Sequence, residues 1–362
     1  MNLIKVIFMD YIKGRGAQHN THNKFLQHSH EVLDDFLNYC AAENEDADQN
    51  KTAYLEIFPK TIVNKVTSPD IGASFSMNPY QGCEHGCIYC YARNSHEYWG
   101  YSAGLDFERK ILYKKNAAEL LEKKLRGKNW EAIPIMLSGN TDCYQPIEKK
   151  LEITREILKV LLKLKHPVGI ITKNALILRD LDLLKELASL NLLKVNISIT
   201  SLSEQTRRIL EPRTATIKKR LETVKILSEN NIPVNVMMAP IIPAINNHEI
   251  LPLVKKVSEL GAKSVAYTVV RLNGAIGEIF KKWVEKTYPD RAEKILHQIE
   301  DCHNGTLNES RYGVRMKGEG KFAEQIAMQF KLARKLYLKD KKIPEFDCTI
   351  FDKFQTNQMS LF

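Results

Sequence analysis

Short apolar runs alternate with longer amphipathic stretches over residues 74–272. Most of the short runs are near-continuously apolar, as strands that are buried on both faces of a parallel sheet must be. The stretches between them repeat apolar residues at helical spacing, which predicts helices. The predicted strands cover 74–80, 133–139, 167–173, 193–200, 233–241 and 264–272. The predicted helices cover 116–126, 147–164, 178–190, 203–210, 216–230 and 247–260.

This alternation predicts repeated βα units around a parallel sheet with right-handed crossovers. Six units fall short of the eight that close a full barrel, so we expect an α/β fold with a partial, open (β/α)6 barrel of the TIM type. The predicted core covers 71–275. Residues 1–70 are polar and predict an N-terminal extension that is partly loop or disordered. Residues 276–362 predict a helical C-terminal region.

The length and the cysteine content limit the class of protein. A chain of 362 residues that is 44% hydrophobic can bury a sizeable core. We expect a cytoplasmic protein without a membrane partner, because no run of 18 apolar residues and no signal-peptide cleavage site is present. Three of the seven cysteines fall within eight residues, which favours reduced thiols and a metal site. The other four, scattered along the chain, are Cys40, Cys143, Cys302 and Cys348.

The formal net charge of +10 favours polyanionic partners such as nucleic acid. Solvated helix faces are the favoured explanation for the lysines that spread along stretches such as 147–164. The segment 311–330 is rich in Arg, Lys and Gly ahead of a helical pattern, so it could present cations and backbone N–H groups to a phosphate. An ordinary loop that caps a helix explains the same segment.

The cysteine cluster carries the strongest chemical signal. Cys83, Cys87 and Cys90 are spaced C-x3-C-x2-C directly after the first predicted strand, at the end where barrel active sites lie. Three thiolates can bind three irons of a 4Fe-4S cubane and leave the fourth iron open to a small molecule. Gly82 and Gly86 would let the loop wrap closely around such a cluster.

Zinc is the alternative ligand for these cysteines. It also favours Cys-x2-Cys and could recruit His85, His96 or Cys143 as its fourth ligand. A nucleic-acid-binding protein with a structural iron–sulfur or zinc site is therefore an alternative to an enzyme. A module in which the cluster only passes electrons is a third hypothesis.

The motif, its place after the first strand and the six βα units resemble the radical S-adenosylmethionine superfamily. Within it, residues 74–245 are similar to the spore photoproduct lyase-like branch. The resemblance implies an enzyme that cleaves S-adenosylmethionine reductively at a 4Fe-4S cluster and uses the 5′-deoxyadenosyl radical to abstract hydrogen from a substrate. It also implies a one-electron donor such as flavodoxin or ferredoxin, and it slightly favours a nucleic-acid substrate. The segments that carry the similarity are CIYCYAR (87–93), SGNTDCYQPIE (138–148), ITKN (171–174), SITSLSEQTRRILEPRT (198–214) and APIIP (239–243).

The resemblance assigns cofactor-binding roles residue by residue. Lys173 would meet the cofactor carboxylate, as its positive charge suits. Ser198 would hydrogen-bond the ribose or methionine end, with Arg213 nearby. Ala239 would line the apolar wall beside the adenine, and backbone atoms of Tyr89 would lie on the other side.

The turn after the second strand departs from the family pattern. Members commonly carry Gly-Gly-Glu there to meet the cofactor's amino group. This chain has Ser-Gly-Asn-Thr-Asp, which leaves Asn140, Thr141 and Asp142 as candidates for that role.

A second departure concerns the hydrogen donor. Spore photoproduct lyases place a hydrogen-donating cysteine where this chain has Gly139, by an ungapped comparison. Cys143 could serve as a displaced donor, with Tyr144 or Tyr91 as a relay. A small apolar residue packed under the loop is the alternative role for Cys143. Photoproduct repair in the strict sense is therefore not expected.

Overall fold

The computed structural model describes residues 12–26, 51–352 and 354. Cys40 and the rest of the predicted N-terminal extension lie outside these residues. The strands of the described part form a seven-stranded sheet and a three-stranded sheet. They are β1 (Ala53–Glu56), β2 (Val63–Lys65), β3 (Phe75–Met77), β4 (Tyr80–Gln81), β5 (Lys110–Tyr113), β6 (Ile135–Leu137), β7 (Val168–Thr172), β8 (Leu193–Ser198), β9 (Val234–Ile241) and β10 (Ser264–Val269).

The larger sheet has the strand order β10-β9-β8-β7-β6-β3-β2. Neighbours from β3 to β10 pair in parallel, and β2 adds an antiparallel strand at one edge. Each of the six predicted strands is present inside its predicted range. The predicted α/β fold with a partial barrel is confirmed.

Helices follow the strands of the larger sheet and bury their apolar faces against it. Several begin at side-chain caps: Ser203 Oγ accepts a hydrogen bond from Thr206 N at 3.2 Å, and Thr216 Oγ1 accepts one from Lys219 N at 3.3 Å. Short 3₁₀ helices cover Tyr91–Trp99, Ala175–Asp180, Asn247–Glu249 and Pro289–Arg291. The α-helices are α1 (Asp106–Arg109), α2 (Ala117–Leu125), α3 (Glu148–Leu151), α4 (Ile153–Lys163), α5 (Leu181–Ser189), α6 (Glu204–Leu210), α7 (Ile217–Glu229), α8 (Ile250–Glu259), α9 (Ala275–Thr287), α10 (Ala292–Asp301) and α11 (Gly320–Tyr337).

The two faces of the larger sheet differ in burial. On β10, Val265, Tyr267 and Val269 are buried toward the helices, and Ser264 and Ala266 on the opposite face are partly exposed. We call this less-buried side the inner face. The strand register continues this face onto β9, which pairs with β10, and onto β8, which pairs with β9. The helices thus cover the opposite, outer face, and the inner face keeps some partly exposed residues.

A polar row interrupts the apolar pattern on the inner face. Asn235 Nδ2 donates to Asn196 Oδ1 at 2.8 Å, and Asn196 Nδ2 donates to Ile170 O at 2.9 Å. Ser264 Oγ donates to Asn235 Oδ1. Each side-chain amide of this row has a hydrogen-bond partner, so burying these polar groups leaves no amide without one.

The described parts of the N-terminal extension belong to the folded body. β1 pairs in parallel with β5, and β4 pairs with β5 in the opposite direction. Residues 12–26 contain no helix or strand, but Ala17 is fully buried. The domain boundaries at residues 70 and 275 stay predictions.

The C-terminal region packs on the outer face of β10. The Tyr267 ring stacks on Phe330 of α11, with centroids 4.0 Å apart and an interplanar angle of 3°. Helices are confirmed in this region by α10 and α11. Among the described helices, none has the length and apolar character that crossing a membrane requires.

Candidate active site

Residues 82–90 form the loop that holds the three clustered cysteines, and we call it the cluster loop. Cys83 and Cys87 are each 7% exposed, and Cys90 is partly buried. Gly82 has φ +76°, and a Cβ atom there would lie 2.7 Å from Lys110 O. Only glycine fits this close backbone approach without strain, as the sequence suggested.

Two residues between the cysteines fasten the cluster loop to residues 142–147. Glu84 is fully buried and accepts hydrogen bonds from Ile147 N and the Tyr54 hydroxyl, each at 2.9 Å. His85 Nδ1 lies 3.3 Å from Asp142 Oδ2. These contacts of Glu84 and His85 fix the backbone of the cluster loop and thereby position its cysteines.

The donor set fits a 4Fe-4S cluster better than a single metal ion. No three His, Cys, Asp or Glu side chains of the described residues converge closely enough for one ion. In a 4Fe-4S cubane each cysteine thiolate binds a different iron. The thiolates of a cubane therefore lie farther apart than the ligands of a single zinc ion. Burial raises the pKa of the Cys83 and Cys87 thiols. Their thiolates therefore need the positive charge that bound irons supply.

Asp142 ties the cluster loop to the end of β7. Its carboxylate accepts hydrogen bonds from Thr172 Oγ1 at 2.7 Å and from Lys173 N at 2.8 Å, and it faces His85. Burial alone would raise the pKa of Asp142, but His85 and these hydrogen bonds lower it to about 2. The carboxylate is thus held ionised by its protein partners.

The other two residues of this turn also have protein partners. Thr141 Oγ1 donates to Tyr80 O at 2.6 Å. Asn140 N donates to Asn78 Oδ1 at 2.8 Å, and Asn140 Nδ2 donates to Ser95 Oγ at 3.0 Å. The structure therefore brings the turn beside the cluster loop, and its contact with the cofactor's amino group stays a prediction.

Lys173 and Ser198 are neighbours on the inner face. Thr172 pairs with Ile197 in the register of β7 and β8, so the next residue of each strand lies alongside the other. Lys173 Nζ has no carboxylate within ion-pair distance among the described residues, and it lies 5.9 Å from the Tyr89 ring centroid. Burial would lower the pKa of Lys173, but Cys87 and Glu211 raise it.

Ser198 is 2% exposed, and no described residue hydrogen-bonds its hydroxyl. Ala239 lies near the end of β9 on the inner face, partly exposed and ahead of a cis peptide bond to Pro240. A cation, an unpartnered hydroxyl and an apolar surface therefore lie along the C-terminal strand ends that also carry the cluster loop.

Glu211 was missed by sequence reasoning, although it stands two residues before the predicted Arg213. It is fully buried and accepts hydrogen bonds from the Tyr89 hydroxyl, from Thr200 Oγ1 at 2.7 Å and from Arg220 Nη2 at 2.5 Å. Burial alone would raise its pKa, but Arg220 and Lys173 lower it to about 2. A buried carboxylate is expected to be paired, but sequence does not show with which residue.

Arg213 contacts the cluster loop rather than Ser198. Its Nη2 lies 3.3 Å from Glu84 Oε1, and its backbone N donates to His85 O at 3.2 Å. Arg213 therefore stabilises the cluster loop through its contacts with Glu84 and His85. Its predicted place near the cofactor is not tested by these contacts.

Of the three predicted catalytic residues, Cys143 and Tyr144 lie in the same buried core and Tyr91 lies at the surface. Tyr91 is 58% exposed and donates its hydroxyl hydrogen to Gly139 O. Tyr144 is fully buried, with its hydroxyl 3.1 Å from Asp180 Oδ2. Cys143 is fully buried in the main hydrophobic core. The radical-quenching role of Cys143 stays a prediction, and its thiol has no exposed surface in this structure.

An N-terminal segment, residues 15–17, supports the cluster loop and was also missed. Gly16 N and Ala17 N donate to the Glu108 carboxylate at 3.0 and 2.8 Å. Glu108 also pairs with buried Arg93 at 2.5 Å, and Arg93 Nε donates to Cys87 O at 3.0 Å. A Cβ atom on Gly16 would lie 1.8 Å from the backbone oxygen of Gly86, so a glycine is required there.

The chain is similar in sequence to proteins of other organisms. The chain is 31% identical over 250 residues to an uncharacterized protein of Methanocaldococcus jannaschii, which covers 69% of this chain and 89% of that protein. It is 30% identical over 240 residues to an uncharacterized protein of Mycobacterium tuberculosis, covering 65% and 70% of the two chains.

Among solved structures, spore photoproduct lyase complexed with dinucleoside spore photoproduct is similar in fold. The TM-score is 0.58 at 14% identity, covering 80% of this chain and 81% of the lyase. The Radical SAM superfamily model matches residues 77–257, which include the cluster loop, Lys173 and Ser198. The chain belongs to the radical SAM superfamily, and it is therefore an enzyme of the class that uses a 4Fe-4S cluster and S-adenosylmethionine.

Proposed function

We propose that Cys83, Cys87 and Cys90 hold the cluster and that Lys173 and Ser198 bind S-adenosylmethionine beside it, for hydrogen abstraction from a nucleic-acid substrate. A cluster bound there would supply the electron for reductive cleavage of S-adenosylmethionine. The chain's own residues position the cofactor and exclude water from the buried thiols.

The unpaired ammonium of Lys173 is the observation that carries the cofactor site. A partly buried cation without a carboxylate is costly unless a ligand supplies the negative charge. The Glu211 carboxylate acts on Lys173 electrostatically, but it does not lie within ion-pair distance of it. The carboxylate of S-adenosylmethionine would complete this charge arrangement.

The nucleic-acid substrate is supported by charge and by exposed rings near the cluster loop. The chain carries a formal net charge of +10. Tyr91 and Tyr98, on the 3₁₀ helix that follows Cys90, are 58% and 74% exposed. Exposed aromatic rings can stack with the bases of a single strand. A solved spore photoproduct lyase variant with bound AdoMet and dinucleoside spore photoproduct has a similar fold.

The cofactor role of Lys173 is tested by Lys173→Gln. We expect iron and sulfide content to stay at the wild-type level and the dissociation constant for S-adenosylmethionine to rise about 10- to 100-fold, since a charge-assisted hydrogen bond is lost. Equilibrium dialysis under anaerobic conditions measures the constant. Lys159→Gln, on the outer surface of α4, is the matched control because Lys159 is 50% exposed. Equal affinities for all three proteins would refute the assignment.

The substrate class is tested with fractionated cell extract. Reduced enzyme with S-adenosylmethionine is assayed for 5′-deoxyadenosine after the extract has been treated with nuclease, with protease, or with the heat-inactivated form of each. We expect the extract to stimulate 5′-deoxyadenosine formation and nuclease alone to abolish the stimulation. If nuclease leaves the stimulation intact and protease abolishes it, the proposed nucleic-acid substrate is wrong and the substrate is a protein.

A further inference from the structure

Arg271 lies two residues beyond the end of β10, at an edge of the larger sheet. Its Nη1 donates to Met316 Sδ at 3.7 Å, and sulfur is a weak acceptor. Its Nε is buried, and no described residue accepts its hydrogen. Because arginine does not lose its proton in proteins, these donors lack the acceptors that buried polar groups normally have.

The surroundings of Arg271 do not neutralise it. Asp70 is the nearby carboxylate, but Arg315 Nε binds Asp70 Oδ2 at 2.5 Å and Gly313 N donates to Asp70 Oδ1 at 2.7 Å. Burial and the adjacent Arg315 lower the pKa of Arg271, against a smaller opposing effect of Asp70. Two guanidinium groups thus share one carboxylate, which leaves a local excess of positive charge.

The position of Arg271 connects it to both the cluster loop and the open side of the barrel. Its chain neighbours Val270 and Leu272 pack in the same apolar group as Cys87. On the other side, Arg315 runs beside β10, and Asp70 lies between the strands β2 and β3 at the opposite end of the strand order. The Asp70–Arg315 pair therefore spans the gap that the partial barrel leaves open.

We propose that Arg271 binds a phosphate group of the substrate at this open side, with Arg315 as a flanking cation. The inference rests on the proposed nucleic-acid substrate and names the residue that receives its backbone. A guanidinium can donate to phosphate oxygens through its Nη atoms, for which the weak acceptor Met316 Sδ is the hydrogen-bond partner among the described residues. It also gives a role to part of the basic segment 311–330, whose Arg315 is held by Asp70 and whose Lys317 Nζ donates to Tyr267 O at 2.6 Å.

The test uses the cluster-loaded protein and a fluorescein-labelled ten-nucleotide oligothymidylate, with binding followed by anisotropy over a series of salt concentrations. We expect Arg271→Gln to weaken binding about tenfold and to lower the slope of log affinity against log salt by about 0.7, the share of one phosphate contact on a single strand. Arg271→Lys should recover part of the affinity, because it keeps the charge but loses the fork.

Lys225→Gln on α7 is the control, since it removes the same charge from a side chain that is 57% exposed. Wild-type affinity and slope in Arg271→Gln, or an equal loss in the control, would overturn the inference and leave the proposed function standing.

A second measurement separates the two proposals. Titration with inorganic pyrophosphate is followed by calorimetry on wild type and Arg271→Gln. If wild type binds pyrophosphate but no oligonucleotide, and Arg271→Gln does not bind pyrophosphate, the anion site is supported and the nucleic-acid substrate is refuted. If wild type binds neither probe, the anion site is refuted.

Discussion

Glu211 connects the cluster loop to the barrel through one buried carboxylate. It receives the Tyr89 hydroxyl from the loop, Thr200 from beyond β8 and Arg220 from α7. Arg220 in turn donates to Ser198 O at 3.0 Å. The carboxylate therefore positions both the ring that Lys173 faces and the strand end that carries Ser198.

Removing this carboxylate's charge is expected to be costly. Glu211→Gln leaves Arg220, which is fully buried, without a counter-charge, so the free energy of unfolding should fall by about 3 to 5 kcal/mol. Anaerobic guanidinium denaturation of the cluster-loaded protein measures the loss. Glu229→Gln is the control, because Glu229 is 60% exposed and its ion pair with Lys225 is solvated. A loss in Glu211→Gln no larger than in the control would contradict the role given to this pair.

Sequence indicated some of these residues and not others, for a physical reason. Cys83, Cys87 and Cys90 lie within one loop, so their spacing in the local sequence is sufficient to predict that they bind one group together. The contacts of Glu211 with Tyr89, and of Glu108 with Gly16, join residues that are far apart in the chain. Such pairs depend on the folded arrangement of several elements, which a local pattern does not specify.

Elements with continuous apolar runs were the most predictable. The six strands of the larger sheet that pair in parallel were all expected, because their buried faces require such runs. The small sheet of β1, β4 and β5 was not predicted. β1 is exposed at every residue, so no alternation of buried and exposed positions marks it in the sequence.

The junction that leads into β7 contains a pH-sensitive element. His166 is fully buried, with Nδ1 donating to Pro167 O and Nε2 accepting from Trp130 Nε1, each at 3.0 Å. The contact with Trp130 needs the neutral ring, because a protonated Nε2 cannot accept a hydrogen bond. Burial lowers the pKa of His166 to about 4, from an ordinary value of 6.5.

The folded-state pKa lies below the unfolded value, so the contribution of His166 is fully present above about pH 6.5 and is lost as the pH falls toward 4. Between pH 7.5 and pH 5 the unfolding free energy should fall by about 2 kcal/mol more in wild type than in His166→Gln. Urea denaturation at both pH values measures this difference. His248→Gln serves as the control, because His248 is 72% exposed. Parallel pH profiles for wild type and His166→Gln would contradict the assignment.

The whole molecule combines a partial barrel with an unclosed side at which Arg271 and Arg315 lie near each other. The outer face of the sheet is covered by helices, and the inner face ends at the cluster loop, Lys173 and Ser198. The two edges of the strand order are joined by Asp70 and Arg315. The net charge of +10 favours an anionic partner for this molecule.

The central claim is tested most directly by reconstituting the protein anaerobically and recording the spectrum of the reduced cluster with and without S-adenosylmethionine, together with 5′-deoxyadenosine release. The account predicts about four irons per chain, a spectrum that changes when the cofactor is added, and slow 5′-deoxyadenosine formation. Cys87→Ser should lose all three. Bound zinc without iron, or a cluster whose spectrum does not respond to the cofactor, would contradict the account.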